Sequence, residues 1–217
     1  MKKKIVEVKV SMDNKKYVIT ITRQFGSLGR PIAIEMAKRL KIQYYDRDIV
    51  DQAAKKLNLP VSVIDKSEES AQKKYVNPFS RMAFPLGMQN TTKQQNEIYE
   101  AQKNIISFLA DKESCIIVGR CADYILQDMP NSMHIYIYAP YKVRLENCIN
   151  ELKINQKEAK EMINSVDKAR AAYHENYAGY LPENPNHKDI MVDSSFLGVE
   201  KTAEYLAELA KMKFDIN

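Results

Sequence analysis

Alternating apolar and polar positions open the chain. Over residues 5–10, Val6, Val8 and Val10 share one face, and Glu7 and Lys9 the other. That period of two predicts a short strand, and Asp13-Asn14 then turns the chain. Residues 17–22 predict a second strand and run into the tight stretch Gly26-Ser27-Leu28-Gly29. From Pro31 to Leu40 the rhythm changes. Ile32, Ala33, Met36, Ala37 and Leu40 recur at helical spacing, and Pro31 suits a first helical turn, where a missing N–H costs nothing.

The same reading continues along the chain. Residues 42–45 predict a strand that ends at Asp46, followed by a helix over 47–57. Asn58-Leu59-Pro60 breaks that helix, and another starts near Pro60. Residues 70–92 are polar and irregular, with Pro78, Pro85 and Gly87 among embedded Phe79, Met82, Phe84 and Met88; they read as a mobile insert. Helix returns over 92–112. The run at 114–118 is continuously apolar, as expected of a strand buried on both faces, and Gly119-Arg120 ends it. Further elements are a strand at 134–138, helices at 141–152 and 156–177, a strand at 189–192 and a helix at 199–211.

Strands alternating with helices imply a mainly parallel five-stranded sheet covered on both faces, a three-layer α/β/α domain spanning 1–217. Ligands in such sheets bind at the carboxyl ends of the strands. Each predicted strand end carries glycine or polar residues: Arg23 to Gly29, Asp46, Gly119-Arg120 and Asp193-Ser194-Ser195.

Composition adds bounds. The chain has 217 residues, 45% of them hydrophobic, and a formal net charge of +5. That excess suits an anionic ligand and equally a soluble protein with none. No basic stripe interleaves with aromatics, so nucleic acid is not an expected partner. No apolar run approaches the roughly 20 residues a membrane span needs, and the basic start at Met1 to Lys4 lacks the apolar segment of a secretion signal. Cys115, Cys121 and Cys148 show no paired spacing, which points to free thiols in a reducing, cytoplasmic setting. Arg120 beside Cys121 is a feature that lowers a thiol pKa, although a passive thiol is the expectation. His134, His174 and His187 lack metal-ligand spacing.

The stretch "ITITRQFGSLGRPIAIEMAKRL" raises the main functional question. Backbone N–H groups in a glycine turn, backed by a helix N-terminus, form a concave anion site. Arg30 could grip phosphate oxygens as a planar fork, and Arg23 could add a second charge. An ordinary strand-to-helix turn with surface arginines accounts for the same residues. Aligned on Gly29, a Walker A pattern would have glycine at Gln24, lysine at Arg30 and a hydroxyl at Pro31.

Six segments in order decide the resemblance: "ITRQFGSLGRPIA", "YYDRDIV", "IIVGRCADYIL", "IYIYAPYKVRLENCI", "DKARAAYHENYAGY" and "DIMVDSSFLGVEKTAEYL". Together they resemble the cytidylate kinase-like family, a branch of the P-loop nucleoside monophosphate kinases, over most of the chain. The resemblance implies a P-loop kinase fold, ATP with Mg2+, and nucleotide substrates. It implies that Gly26, Ser27, Leu28, Gly29 and Arg30 hold the donor phosphates, and that Asp46 lies where the acceptor nucleotide binds. Arg120 would bind the acceptor phosphate, and Asp123 would orient the acceptor or magnesium-bound water. Arg144 and Arg170 would close over the phosphates. Ser195, with Asp193, would lie near the donor base. Residues 156–187 would form the lid, which shields ATP from water.

Other readings of these residues stay open. Asp46 also suits a helix cap, while Arg144 and Arg170 also suit solvated helix faces. The loop departs from the family of Walker A sequences because no Ser or Thr follows Arg30, which leaves Ser27 as the substitute metal ligand. The run "CIIV" ends in glycine, which leaves Asp123 as the nearest acidic ligand. A protein with this loop could therefore be a cytidylate kinase, a kinase for another small acceptor, or a nucleotide sensor without turnover. Finally, the strand before the loop lies inside the sheet in related kinases. Residues 5–10, within an N-terminal extension over 1–16, would then pair at a sheet edge or with a second copy of the chain.

Overall fold

The computed structural model describes residues 16–46 and 92–216. The expected strand at 5–10, the helices after Asp46 and all but the last residue of the insert at 70–92 lie outside them. So does the strand-mediated homo-oligomer.

Chain order runs β1 (Val18–Arg23), α1 (Gly29–Leu40), β2 (Gln43–Tyr45), α2 (Thr92–Lys112), β3 (Cys115–Val118) and α3 (Ala122–Ile125). It continues with β4 (Ser132–Tyr138), α4 (Tyr141–Asn150), α5 (Gln156–Ala178), β5 (Ile190–Asp193) and α6 (Ser194–Phe214). The five strands form one sheet in the order β2-β3-β1-β4-β5, and every neighbouring pair is parallel. Central β1 has the reading VITITR and is buried on both faces over its first four residues. β-Branched residues suit such a strand.

Three apolar clusters account for the layering. Ile19 and Ile21 of β1 pack with Ile32 and Met36 of α1 and Leu206 of α6 on one face. Val18, on the opposite side of the strand, packs with Ile106 of α2 and Ala122 of α3. Phe25, just past β1, packs with Cys148 after α4 begins and with Ile163 and Val166 of α5. Each fully buried aliphatic side chain of this kind contributes about 1.5–3 kcal/mol.

Helix boundaries follow local chemistry. α1 begins two residues earlier than its apolar period suggests, because Leu28 enters it in the left-handed region at φ 56°. Asn155 caps α5 by accepting from the Glu158 N–H, and Asp193 caps α6 by accepting from the Ser195 N–H. α6 also starts earlier than expected. Its first turn is set off by Gly198 at φ 72°, which breaks the period that the sequence shows only from residue 199.

The strands beside β1 are β3 and β4, so the chain leaves the sheet centre in both directions. The crevice at the carboxyl end of β1 is where ligands bind in sheets of this kind.

Candidate phosphate-binding site

The loop between β1 and α1 has the backbone geometry that an anion cradle needs. Gly26 and Leu28 take positive φ values of 78° and 56°, and alternation of this kind turns successive N–H groups toward one concavity. Among the described residues, no backbone acceptor meets the N–H groups of Gly26, Ser27, Leu28 or Gly29. The loop is held from behind instead. Asn147 Nδ2 donates to the Gly26 carbonyl at 2.8 Å, and Ser194 Oγ donates to the Ser27 carbonyl at 2.7 Å.

Arg23 lies across the front of the sheet. A Cβ on Gly29 would stand 2.8 Å from Arg23 Cβ, and one on Gly119 would overlap Arg23 Nη1. Glycine at both positions is what lets this side chain pass between the two loops. Burial, followed by the charge of Arg170, pulls the Arg23 guanidinium down to about 9, with Tyr44, Asp46 and Arg120 also acting on it. Burial likewise lowers Arg170, against the opposing pull of Asp167. A basic site whose charges weaken one another is one that an anion relieves. Arg23, Gln24, Tyr136, Asp167, Arg170 and Glu183 line a cleft of about 200 Å³ beside the loop.

Arg120 follows β3 in the left-handed region at φ 59°, with Cys121 after it at φ 52°. Two consecutive non-glycine residues in that region cost roughly 1–2 kcal/mol each, and such strain clusters at functional sites. Arg30 and Asp46, read separately from sequence, form one ion pair at 2.6 Å. The Tyr44 hydroxyl donates to the same Asp46 carboxylate at 3.1 Å. Asp46 is buried, while Arg30 is half exposed.

Other expected site residues sit differently. Arg144 does not project from a solvated helix face. It is buried, and its Nη1 donates to the Phe25 carbonyl at 3.2 Å and pairs with Asp167. Arg170 donates to the Arg23 carbonyl at 3.1 Å. Both arginines therefore brace the main chain at the β1–α1 loop, with Arg170 also facing the cleft. α5, the expected lid helix, is fastened to β1 and α3 along one side in this structure. Ser195 Oγ donates to Asp193 Oδ1 at 2.7 Å as part of the α6 cap, beside Phe196, which is 83% exposed.

The two residues expected to meet metal do not fit that role. Ser27 is fully buried, and its hydroxyl donates to the Gln24 carbonyl at 2.9 Å. Asp123 is 2% exposed. It pairs with the fully buried ammonium of Lys188 and meets His174 Nε2 at 3.0 Å. Burial raises the Asp123 pKa, but the His174 hydrogen bond and the Lys188 charge outweigh it and hold the carboxyl well below its ordinary value. Both side chains are filled by protein partners. Among the described residues, no group of three His, Cys, Asp or Glu is placed to hold a metal ion.

The sequence reading gave no role to Asp167 or Asn147, named Ser194 only as part of a polar strand end, and did not foresee the Lys188–Asp123–His174 clamp. Asp167, Asn147, Ser194 and His174 all lie inside the quoted motifs, which was their only signal. His134 meets the Thr20 hydroxyl at 2.8 Å and the Ser132 hydroxyl at 3.2 Å within the sheet. The Cys121 thiol is raised by burial despite Arg120. A second cleft, of about 290 Å³ and lined by His134, Tyr180, His187 and Asp189 among others, lies toward the amino ends of β4 and β5, away from the loop. No helix among the described residues is long and apolar enough to cross a membrane.

Comparisons with known proteins agree with this architecture. A family model described as the cytidylate kinase-like family matches residues 18–196. An uncharacterized protein from Eubacterium ventriosum superposes with a TM-score of 0.68 at 23% identity, over 90% of this chain and 99% of that one. Shikimate kinase from Bacteroides thetaiotaomicron gives 0.51 at 13% identity, over 90% and 98%. The Thermus thermophilus protein TT1252 gives 0.51 at 12%, over 91% and 98%. At these identities the likeness is one of fold. No curated protein matches the chain.

Proposed function

The chain belongs to the cytidylate kinase-like family, and from that premise we propose that it moves the γ-phosphoryl group of ATP to a nucleoside monophosphate, CMP or dCMP first. One observation carries the reading. Arg23 and Arg170 stand half-buried beside a glycine loop, close enough that Arg170 and Arg120 each depress the Arg23 guanidinium. A cluster of like charges at a strand-end crevice is costly in an empty protein and is repaid by a polyanion.

Phosphoryl transfer needs positioning and charge stabilisation more than covalent help. An acceptor phosphate oxygen forms the new P–O bond while the bond from Pγ to the bridging oxygen breaks, and ADP leaves with that electron pair. The N–H groups of the loop are suited to the donor phosphates. Arg23 and Arg170 are suited to the transferring group, where developing charge is best met by fixed donors. Arg120 is suited to the acceptor phosphate. Arg30 can reach donor oxygens by sharing its fork with Asp46.

P-loop enzymes hold Mg2+ on a loop hydroxyl and an acidic strand residue. Pro31 occupies the hydroxyl position here, and Ser27 and Asp123 are engaged elsewhere. The described side chains do not provide that site, so the proposal assigns charge neutralisation to the arginines.

The test is an acceptor panel. Purified protein with ATP and Mg2+ should release ADP in the presence of CMP or dCMP. Arg120→Ala should lower kcat/KM by about a hundredfold or more, the scale for losing one fixed donor to a phosphoryl or oxyanion centre. ATP binding with no turnover on any monophosphate would overturn the reading in favour of a sensor, or of a kinase for a non-nucleotide acceptor.

A further inference from the structure

One side of α5 carries Asp167, Arg170 and His174, spaced three and then four residues apart and so aligned on one helix face. The first two grip the chain at the end of β1. The third grips Asp123, just beyond the strained turn at Arg120. A single rigid helix thus holds both loops that the proposed reaction uses.

Within this arrangement, we propose that Asp167 is the positioning residue of the phosphate loop; the inference rests on the phosphotransferase reading. Its Oδ1 accepts from the Phe25 N–H at 2.7 Å. Its Oδ2 pairs with Arg144 Nη1, which in turn donates to the Phe25 carbonyl. Both main-chain polar groups of Phe25, its N–H and its carbonyl, are therefore set by one carboxylate–guanidinium pair. Phe25 immediately precedes Gly26, where the concavity begins. The Phe25 ring is fixed as well, packed against Ile163 and Val166 with the Arg170 guanidinium 5.9 Å from its centroid. Asp167 also stands 3.8 Å from Arg170 Nη1, which steers that guanidinium toward the Arg23 carbonyl.

The placement has a consequence of definite sign. Asp167 lines the cleft that Arg23 and Arg170 share. By charge alone, removing a carboxylate from the wall of an anion site strengthens anion binding. A positioning role predicts the reverse. Without the carboxylate, the Phe25 N–H loses its acceptor, Arg144 loses its partner, and the loop N–H groups lose their shared direction.

The experiment uses the full chain with ATP as the probe. Calorimetry gives the ATP Kd for wild type, Asp167→Asn and Asp167→Ala, and NMR follows exchange of the Phe25 amide. Asp167→Ala is expected to weaken ATP binding about tenfold or more, the scale of a charged hydrogen bond lost, and to speed Phe25 exchange. Asp167→Asn keeps an acceptor for Phe25 but loses the charge that holds Arg144, so it should fall between. A merely stabilising role would lower the unfolding midpoint and leave the ATP Kd of the folded protein unchanged. Should the alanine variant not fold, the asparagine variant carries the test. Folded variants that bind ATP as tightly as wild type, or more tightly, overturn the inference alone. Wild-type protein that binds no ATP overturns the functional reading and the inference with it.

Discussion

Removing the Asp123 carboxylate should destabilise the protein strongly without any ligand being present. In the folded chain Asp123 is 2% exposed and the side chain of Lys188 is wholly buried. Besides Asp123, that ammonium has the Tyr180 ring near it, 5.4 Å from the centroid. Asp123→Ala therefore strands a buried charge. Breaking a buried pair from one side costs about 3–5 kcal/mol. For a chain of this length each kcal/mol lowers the unfolding midpoint by about 2–4 °C, so the expected fall is roughly 6–20 °C. Replacing both partners, as Asp123→Leu with Lys188→Met, removes the stranded charge. It leaves His174 Nε2 and the Tyr180 hydroxyl without the carboxylate, a loss of about 1–3 kcal/mol each that Asp123→Ala shares. The double variant should thus be more stable than Asp123→Ala. Urea unfolding at neutral pH measures all three. The acid limb adds a second check. The folded-state pKa of Asp123 is depressed, so its contribution is complete above the ordinary value of 3.8. It is lost as the pH falls below that value. An Asp123→Asn variant should show a shallower acid limb than wild type. Asp123→Ala within about 1 kcal/mol of wild type, well short of a broken buried pair, or a double variant no better than the single, would refute the clamp. The metal or acceptor role read from sequence would then return.

The remaining predictions are local. Gly119→Ala places a Cβ on Arg23 Nη1 at a residue with φ 79°; because the far end of a long side chain can move, the cost should be about 1–2 kcal/mol from the backbone. The larger effect should be a weaker ATP Kd by calorimetry, as Arg23 is displaced. Burial pushes the Cys115 thiol up to about 12 and Cys148 up to about 11, and raises Cys121 as well. A thiol reagent at pH 8 should therefore label the native protein slowly and the unfolded protein fully, read by mass spectrometry.

The elements were legible where one physical signal dominated. The helix expected over 92–112 is α2, and the apolar run "CIIV" is a strand buried on both faces, because in both cases periodicity alone carries the information. The convergence of Arg23, Gly29 and Arg120 at strand ends was also legible, since topology fixes which ends meet. The partners of those residues were not. Asp167 and Phe25 are 142 residues apart in the chain, and Asp123 and Lys188 are 65 apart. No local pattern marks a charged residue as the one that will meet a partner so far away in the chain. Arg144 shows the same limit from the other side. Its position suited a solvated helix face and the family resemblance implied a phosphate ligand, but packing of α4 beneath the loop turns it to the Phe25 carbonyl. Arg30 and Asp46 were given to separate nucleotides, and the fold joined them, because β2 ends beside the start of α1.

The central claim is that arginines at the carboxyl ends of β1 and β3 pass a phosphoryl group between two nucleotides. The most direct measurement follows that group, using ATP labelled at the γ-phosphate with CMP as acceptor. The account predicts labelled CDP from the wild-type protein and its near disappearance in Arg120→Ala. Label that stays in ATP, or that reaches CMP equally well in both proteins, would contradict it.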